Sequence, residues 1–350
     1  MTFSKNHLPS DAVEVSAPSG ISPEMEIVQM AMGGFVTRAL YALAELGIAD
    51  YFENETVSAE DIARATGVSA PFLYRLLRNM TGFGLFTEDE SHRFSLTTKG
   101  ASLQSGFIRS SVRTLAGPTV WRALDEVVYA IKSGESCAQK TLRKPIFEYL
   151  RQNPDEMHLF NESMTAIHRD EPAAIVKNYD FSGIGRLMDI GGGTGGLLAE
   201  ILREYPQMDG VLYELPEVAN DARQNLEARG LSTRCEVIEG NFFDSFPPGG
   251  DAYILSHVIH DWDEESCLKI LKNCHTAMQN KSRLLIIEQV IPSDDGFHPA
   301  KILDLLMLTM MTGQERTREE YAELLRKADF QLERTIATPS AASVLEAFPR

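Results

Sequence analysis

Cysteine is scarce in this chain: Cys137, Cys235, Cys267 and Cys274 are four in 350 residues, and no two of them form a CxxC pair. Spacing this irregular excludes a disulfide framework and a structural zinc site, and leaves reduced thiols packed as small apolar groups. Long apolar runs are missing as well. No stretch approaches the roughly 18 to 20 residues of a membrane span, and the first thirty residues have no basic start followed by an apolar block, so a cytoplasmic chain without membrane contact is expected. Positive charge is in deficit, with 33 Lys and Arg against 50 Asp and Glu and a net charge of −17. Nucleic-acid phosphates would be repelled. A phosphate loop of the form GxxxxGKS or GxxxxGKT is also absent, which disfavours ATP. What is present is ample apolar material: at 43% hydrophobic, the length suits about two domains, one of them with a large core.

The run RLMDIGGGTGGLLAEILREYP, 186 to 206, reads as strand, glycine turn and helix. Leu187, Met188 and Ile190 make a short strand with Asp189 near its tip. Gly191, Gly192, Gly193, Gly195 and Gly196 then let backbone come close to a ligand, and a helix follows through Leu198, Ile201 and Leu202. Gly191, Gly193 and Gly196 satisfy the dinucleotide GxGxxG, but Asp189 beside the turn would repel a pyrophosphate, which disfavours NAD. About twenty residues on, a second strand from Gly210 to Tyr213 ends in Glu214, where a carboxylate can accept both hydroxyls of a ribose. A nucleoside without a required pyrophosphate is expected.

Upstream, residues 1 to 20 are expected to be a flexible tail, and 21–115 a module of its own. A helical apolar pattern runs from Met25 through Phe35, Leu40, Leu43 and Leu46. Ser58 with Asp61 caps a short helix that stops at Gly67, Ser69 starts a second, and Leu85 to Leu96 alternates like a hairpin around Asp89 to His92. That order outlines a winged helix. Winged helices often bind DNA, but residues 20 to 115 hold eight Lys or Arg against eleven Asp or Glu, and the wing Glu88, Asp89, Glu90 is acidic. Association through the broad apolar face is the better use. Helices with aromatic and methionine side chains, Trp121, Phe160 and Met164 among them, fill 116–180. From 181 to 350 strands and helices alternate: strands at 187–190, 210–214, 235–239, 252–258 and 283–289, helices at 217–229, 264–279, 300–312 and 317–328, and closing strands at 331–337 and 341–348. This is a doubly wound α/β sheet, Rossmann-like, with an antiparallel edge.

Chemistry concentrates after the fourth strand, in AYILSHVIHDWDEESCLKILKN. Ligands in open α/β sheets sit beyond the carboxyl ends of the strands, where His260, Asp261 and Trp262 fall. An imidazole there suits removal of a proton from a weakly acidic hydroxyl near neutral pH. Glu288, closing the next strand, and Glu315, ending the run KILDLLMLTMMTGQER, can each hold the ring by accepting its other N–H. A metal site of His257, His260 and Asp261 is not expected, because His257 falls inside the strand and three residues along a strand turn the two rings to opposite faces.

The motifs DIGGGTGG, YELP, HVIHDWDEESCLKILKNC, LLIIEQVIP and GQERTREEYAELL resemble those of the S-adenosylmethionine-dependent O-methyltransferases of the caffeic acid and hydroxyneurosporene type, in their bacterial natural-product branch. The resemblance covers nearly the whole chain from Met25. It implies a methyltransferase sheet, a homodimer built through the N-terminal winged-helix module, no metal, and His260 as general base braced by Glu288 and Glu315. It also puts Gly191 and Gly193 at the methionine moiety with Asp189 close by, Glu214 and Leu215 at the ribose, Asn241 and Phe242 beside the adenine, and Ser256 near the cofactor. Many members carry Asp at the position of Asn241 and Lys at that of Ser256. Trp121, Phe160, Met164, Asp261, Met307 and Met311 match positions that line the acceptor pocket. The expected acceptor is a flat phenol. The alternatives are a methyltransferase fold drifted to hydroxylation or decarboxylation, and a winged-helix regulator that senses a small molecule.

Overall fold

Two compact units make up the computed structural model, which describes residues 21–53, 55–279 and 281–350; the first unit ends at Ala101 and the second runs from Ser102 to Arg350. The tail expected over 1–20 lies outside the described residues. In the first unit, helix α1 (Pro23–Glu45) starts where Ser22 Oγ accepts the Met25 N–H and Pro23 takes the first turn. Its burial is confined to Leu43 and Ala44, while Ile27, Met30 and Phe35 are 68%, 73% and 75% exposed. By length and composition α1 could cross a membrane. Polar residues punctuate the helix without lowering its mean hydropathy much, so no uninterrupted apolar run marks it in the sequence.

Strand β1 (Val57–Ser58), helices α2 (Ala59–Thr66) and α3 (Ala70–Thr81), strands β2 (Phe86–Glu88) and β3 (Arg93–Leu96) and helix α4 (Thr98–Ala101) complete this unit. Ser58 Oγ accepts the Asp61 N–H at 3.1 Å, and Gly67, with φ +74°, ends α2 in the left-handed region. The expected hairpin is present, joined by β1 into an antiparallel sheet of order β1-β3-β2. A strand of two residues is too short to alternate visibly. Ile62, Leu73, Leu77, Met80, Phe86 and Phe94 form the buried centre.

The second unit opens with seven helices, α5 (Phe107–Leu115), α6 (Pro118–Leu124), α7 (Val127–Ser133), α8 (Cys137–Leu142), α9 (Ile146–Arg151), α10 (Pro154–Ile167) and α11 (Glu171–Asn178). Helix α5, expected in the first module, is part of this unit because it packs along α10: Ser110 Oγ donates to Glu162 at 2.6 Å and Thr114 Oγ1 to the Leu159 carbonyl at 3.3 Å. Then follow β4 (Arg186–Ile190), α12 (Gly196–Glu204), β5 (Asp209–Glu214), α13 (Pro216–Ala228), β6 (Cys235–Glu239), β7 (Ala252–Ser256), α14 (Glu264–Ala277), β8 (Arg283–Ile291), α15 (Pro299–Met310), β9 (Arg316–Thr317), α16 (Arg318–Lys327), β10 (Phe330–Ala337) and β11 (Ala342–Pro349). The main sheet has the order β10-β11-β8-β7-β4-β5-β6, parallel from β8 to β6 and antiparallel at β11 and β10; β9 pairs with the far end of β8.

Helices cover both faces, so the inner strands are apolar on both. Along β4, Met188 and Ile190 enter one core layer with Tyr253, Leu255 and Leu284, while Leu187 enters the other with Leu198, Ile201 and Ile254. Strand order reverses at β4, whose neighbour on one side is β5 and on the other β7. That reversal opens a crevice at the carboxyl ends of β4 and β7.

Candidate active site

On one side of the crevice the backbone is bare. Gly191, Gly193 and Gly195 have φ of +69°, +56° and +79°, so β4 turns sharply into α12 through residues that L side chains would strain. A side chain at Gly191 would press on Val258 and Phe242, whereas the space beside Gly193 is open. Glu214, at the tip of β5, accepts the Gly193 N–H at 2.9 Å and the Leu215 N–H at 2.8 Å. Its carboxylate therefore ties the glycine turn to the start of α13 and keeps lone pairs for a further donor. Burial raises its pKa.

Asp189, next to last in β4, is buried against the turn: a Cβ on Gly192 would come within 2.3 Å of its carboxylate, and among the described residues neither of its oxygens has a hydrogen-bond partner. Strand alternation directs it to the packed side of the turn; burial, and then the charge of Glu214, push its pKa to about 7. The Phe242 ring borders Gly191 and meets Trp262 edge-on at 6.1 Å between centroids. Asn241 Oδ1 is engaged locally, accepting the Phe243 N–H at 2.9 Å. Ser256 is the last residue of β7, facing the crevice end of the strand.

On the other side of the crevice stands His260. Strand β7 stops at Ser256, two residues short of the expected end, because His257 turns into the left-handed region at φ +51°. A single 3-10 turn, Ile259–Asp261, then carries His260 into a buried position. Its Nδ1 lies 2.7 Å from Glu315 Oε1 and 3.4 Å from Glu288 Oε2. Glu288, from β8, accepts the backbone N–H groups of Ile259 at 2.9 Å and His260 at 3.2 Å, so it fixes the turn as much as the ring. The buried Arg316 guanidinium holds the same turn from the other side, donating to the Ile259 carbonyl at 3.3 Å and the Trp262 carbonyl at 3.5 Å. Asp263 caps α14 by accepting the Ser266 N–H.

Burial lowers the pKa of His260, which favours a neutral imidazole at neutral pH. The same burial pushes Glu315 up to about 7 and Asp261 up to about 6, and raises Glu288, to which the like charge of Glu315 adds. Asp261 Oδ1 is 3.6 Å from His260 Nε2.

The expected separation of His257 from His260 is overturned. The left-handed residue breaks the strand's alternation, and the two rings come to 5.5 Å between centroids on either side of Glu288. His257 Nε2 is 2.7 Å from Glu171 Oε1, and the His168 ring packs on it at 4.1 Å. Glu171 and His168 escape sequence reasoning, since they lie at a helix junction with no motif around them; Arg316 is legible only as the neighbour of Glu315.

Asp261 leads into a cavity of about 290 Å³ lined by Ile146, Phe147, Trp262, Met310 and Met311 among others. Of the six residues expected to contact an acceptor, Asp261 and Met311 line it. Phe160 meets Phe147 edge-on at 6.3 Å without lining the cavity itself, and on α15 it is Met310, not the equally buried Met307, that stands at the wall. Trp121 sits on α6, and Met164 one turn before His168 at the end of α10; neither lines this cavity.

Residues 121–331 match the O-methyltransferase domain family and residues 28–105 the O-methyltransferase dimerisation domain family. A phenazine O-methyltransferase of Lysobacter antibioticus is 39% identical over 326 residues, which span 92% of this chain and 95% of that protein. The crystal structure of LaPhzM superposes with a TM-score of 0.87 at 37% identity, over 94% of this chain and 100% of that one. An O-methyltransferase from neocarzinostatin biosynthesis, crystallised with S-adenosylmethionine and 2-hydroxy-5-methyl naphthoic acid, has a TM-score of 0.79 at 30% identity over 90% and 96% of the two chains.

Proposed function

This chain belongs to the family of S-adenosylmethionine-dependent O-methyltransferases, enzymes that need no metal, and we propose that its acceptor is a phenolic hydroxyl of a bacterial natural product, deprotonated by His260. One observation carries the proposal: a buried, neutral imidazole is gripped at Nδ1 by Glu315, while Asp261, next to it in the chain, opens onto an apolar cavity with aromatic and methionine walls.

The residues of the crevice fit the cofactor. Gly191 and Gly193 leave room for the methionine moiety, Glu214 with Leu215 takes the ribose, and Phe242 with Asn241 borders the adenine; Ser256 stands near by, and Asp189 supports the turn from beneath. When bound, S-adenosylmethionine supplies a methyl group already activated on a sulfonium. The protein's part is then alignment, dryness and one proton. Glu315 accepts the Nδ1–H of His260, which leaves the Nε2 lone pair to take the phenol proton. The imidazolium so formed lies 2.7 Å from Glu315 and 3.4 Å from Glu288, and its charge favours the ionised form of two acids that burial otherwise biases toward protonation. A phenol, with a pKa of about 10, is a far better partner for this base than an alcohol. The first unit supports a homodimer, since the apolar face of α1 at Ile27, Met30 and Phe35 is uncovered within its own unit.

Incubation with methyl-labelled S-adenosylmethionine and a panel of hydroxylated polycyclic aromatics tests the proposal, and label is expected on phenolic oxygen. Label only on amines, or none on any phenol while cofactor binding is normal, would overturn it.

A further inference from the structure

His257 and Glu288 turn acceptor atoms toward each other. His257 Nδ1 and Glu288 Oε2 are 3.7 Å apart, both are buried atoms, and neither has a hydrogen-bond partner among the described residues. The Glu288 side chain is fully buried, and its Oε2 also lies 3.4 Å from His260 Nδ1. We propose that His257 Nδ1, His260 Nδ1 and Glu288 Oε2 form a binding site for a divalent transition-metal ion of the zinc type, and that the ion switches the enzyme off.

Geometry and donor chemistry both support the site. A tetrahedral ion bound by nitrogen and oxygen at about 2.0–2.2 Å separates its ligand atoms by about 3.3–3.6 Å. The His260–Glu288 separation of 3.4 Å falls in that range and the His257–Glu288 separation of 3.7 Å just beyond it, and the three residues each bring a ligand atom within 4.8 Å of the others. Two imidazoles and one carboxylate favour zinc, cobalt or copper over magnesium, which takes oxygen ligands. The tautomer of His257 suits a metal ligand, since donation of its Nε2–H to Glu171 at 2.7 Å leaves the Nδ1 lone pair aimed at Glu288. Carboxylates bound to the far nitrogen of a ligating histidine are the usual support of such sites. Glu315 Oε1, 2.7 Å from His260 Nδ1, is at hand as a fourth ligand.

The consequence for activity rests on the reading of His260 as the base; the binding does not. A neutral imidazole with a metal ion on Nδ1 carries its one proton on Nε2, the atom that must accept the phenol proton. The metal-bound enzyme has an aligned acceptor and no base.

The full-length, metal-stripped protein is titrated with Co²⁺ and followed by visible absorption, with Zn²⁺ then displacing the cobalt. The expected result is the intense spectrum of low-coordinate cobalt in the wild type and its loss in His257→Asn, a variant chosen because Asn tolerates the left-handed backbone. Glu171→Gln should weaken the metal by about 10–100-fold. S-adenosylhomocysteine binding verifies that both variants are folded. Methyl transfer is compared with and without Zn²⁺ in each protein, and the ratio should fall in the wild type and stay near one in His257→Asn. An unchanged cobalt spectrum, or equal cobalt affinity in wild type and both variants, would overturn the site and leave a proton as its only occupant. Cobalt bound through His257 and Glu288 with methyl transfer untouched would leave His260 Nδ1 outside the coordination and overturn the inhibition, without bearing on His260 as base, which the His260 variant tests separately.

Discussion

Replacing His260 with Asn removes the proposed base while leaving a side chain whose amide can still donate to Glu315, so the buried carboxylate is not stranded. The size of the effect follows from the acceptor. A phenol of pKa about 10 is ionised in about one molecule in a thousand at pH 7, so a protein that merely waits for phenolate should be slower by about 10³. That lies inside the range of about 10² to 10⁴ for a positioned general base, and equals about 4 kcal/mol of barrier. The pH profiles of the two proteins should then differ in shape. Wild-type activity should be flat through neutrality and fall only below the ordinary histidine value, about 6.5, because burial lowers the pKa of His260 and protonation of a base abolishes its function. In the variant the rate should climb about tenfold per pH unit toward the pKa of the phenol. Single-turnover methyl transfer measured from pH 5 to 9.5 gives both curves, and calorimetry with S-adenosylhomocysteine should return the same affinity for both proteins. Full activity of the variant at pH 7, a variant profile parallel to that of the wild type, or a loss traced wholly to cofactor affinity would refute the reasoning.

Glu214→Ala should weaken S-adenosylmethionine by about 1.5–3 kcal/mol, a factor of about 10 to 150 in Kd, through loss of charged hydrogen bonds; an unchanged calorimetric Kd would remove Glu214 from the ribose site. Phe35→Glu, on the exposed face of α1, should convert a particle of twice 38.9 kDa into a monomer in light scattering, and persistence of the dimer would move the interface elsewhere. Asp189 binds a proton in the native state up to a pKa of about 7 and in the unfolded chain only to about 3.9, so stability should decline as pH rises between those values. Asp189→Asn should flatten that decline in melts taken from pH 4 to 8, gaining more over the wild type at pH 8 than at pH 4; equal gains at both would show that Asp189 is ionised throughout.

The α/β unit is legible in the sequence to within a few residues at most ends, because its signals are local: apolar strands, a glycine turn and capped helices. The positions of Glu214 at a strand end, His260 just after one and Glu315 in the loop before β9 follow from that outline, whereas Glu288, expected to close its strand, lies inside β8, which runs on to Ile291 because its last residues pair with β9. What stays hidden depends on departures from regular period. His257 leaves the strand through a left-handed backbone that an imidazole seldom adopts, and this one torsion decides that two rings face the same carboxylate. Glu171 and His168 join them from a helix junction, with a sequence separation that no spacing rule spans. Along α15 it is Met310 rather than Met307 that lines the cavity, a choice of helical phase that the sequence pattern leaves open. Asp189 stands near the strand tip as the sequence suggests, but only the built turn shows its carboxylate packed against Gly192 and buried.

Strands β4 and β7 are hydrogen-bonded neighbours, and from their ends hang the glycine turn and the histidine turn. On the proposed reading, the gap between methyl donor and proton acceptor is thereby set by the spacing of a sheet, which side-chain replacement hardly alters. The cavity, by contrast, is walled largely by helix residues such as Phe147 and Met310, which can be exchanged one by one. Exchange of single wall residues should therefore change which acceptor fits while leaving the alignment of the two turns in place.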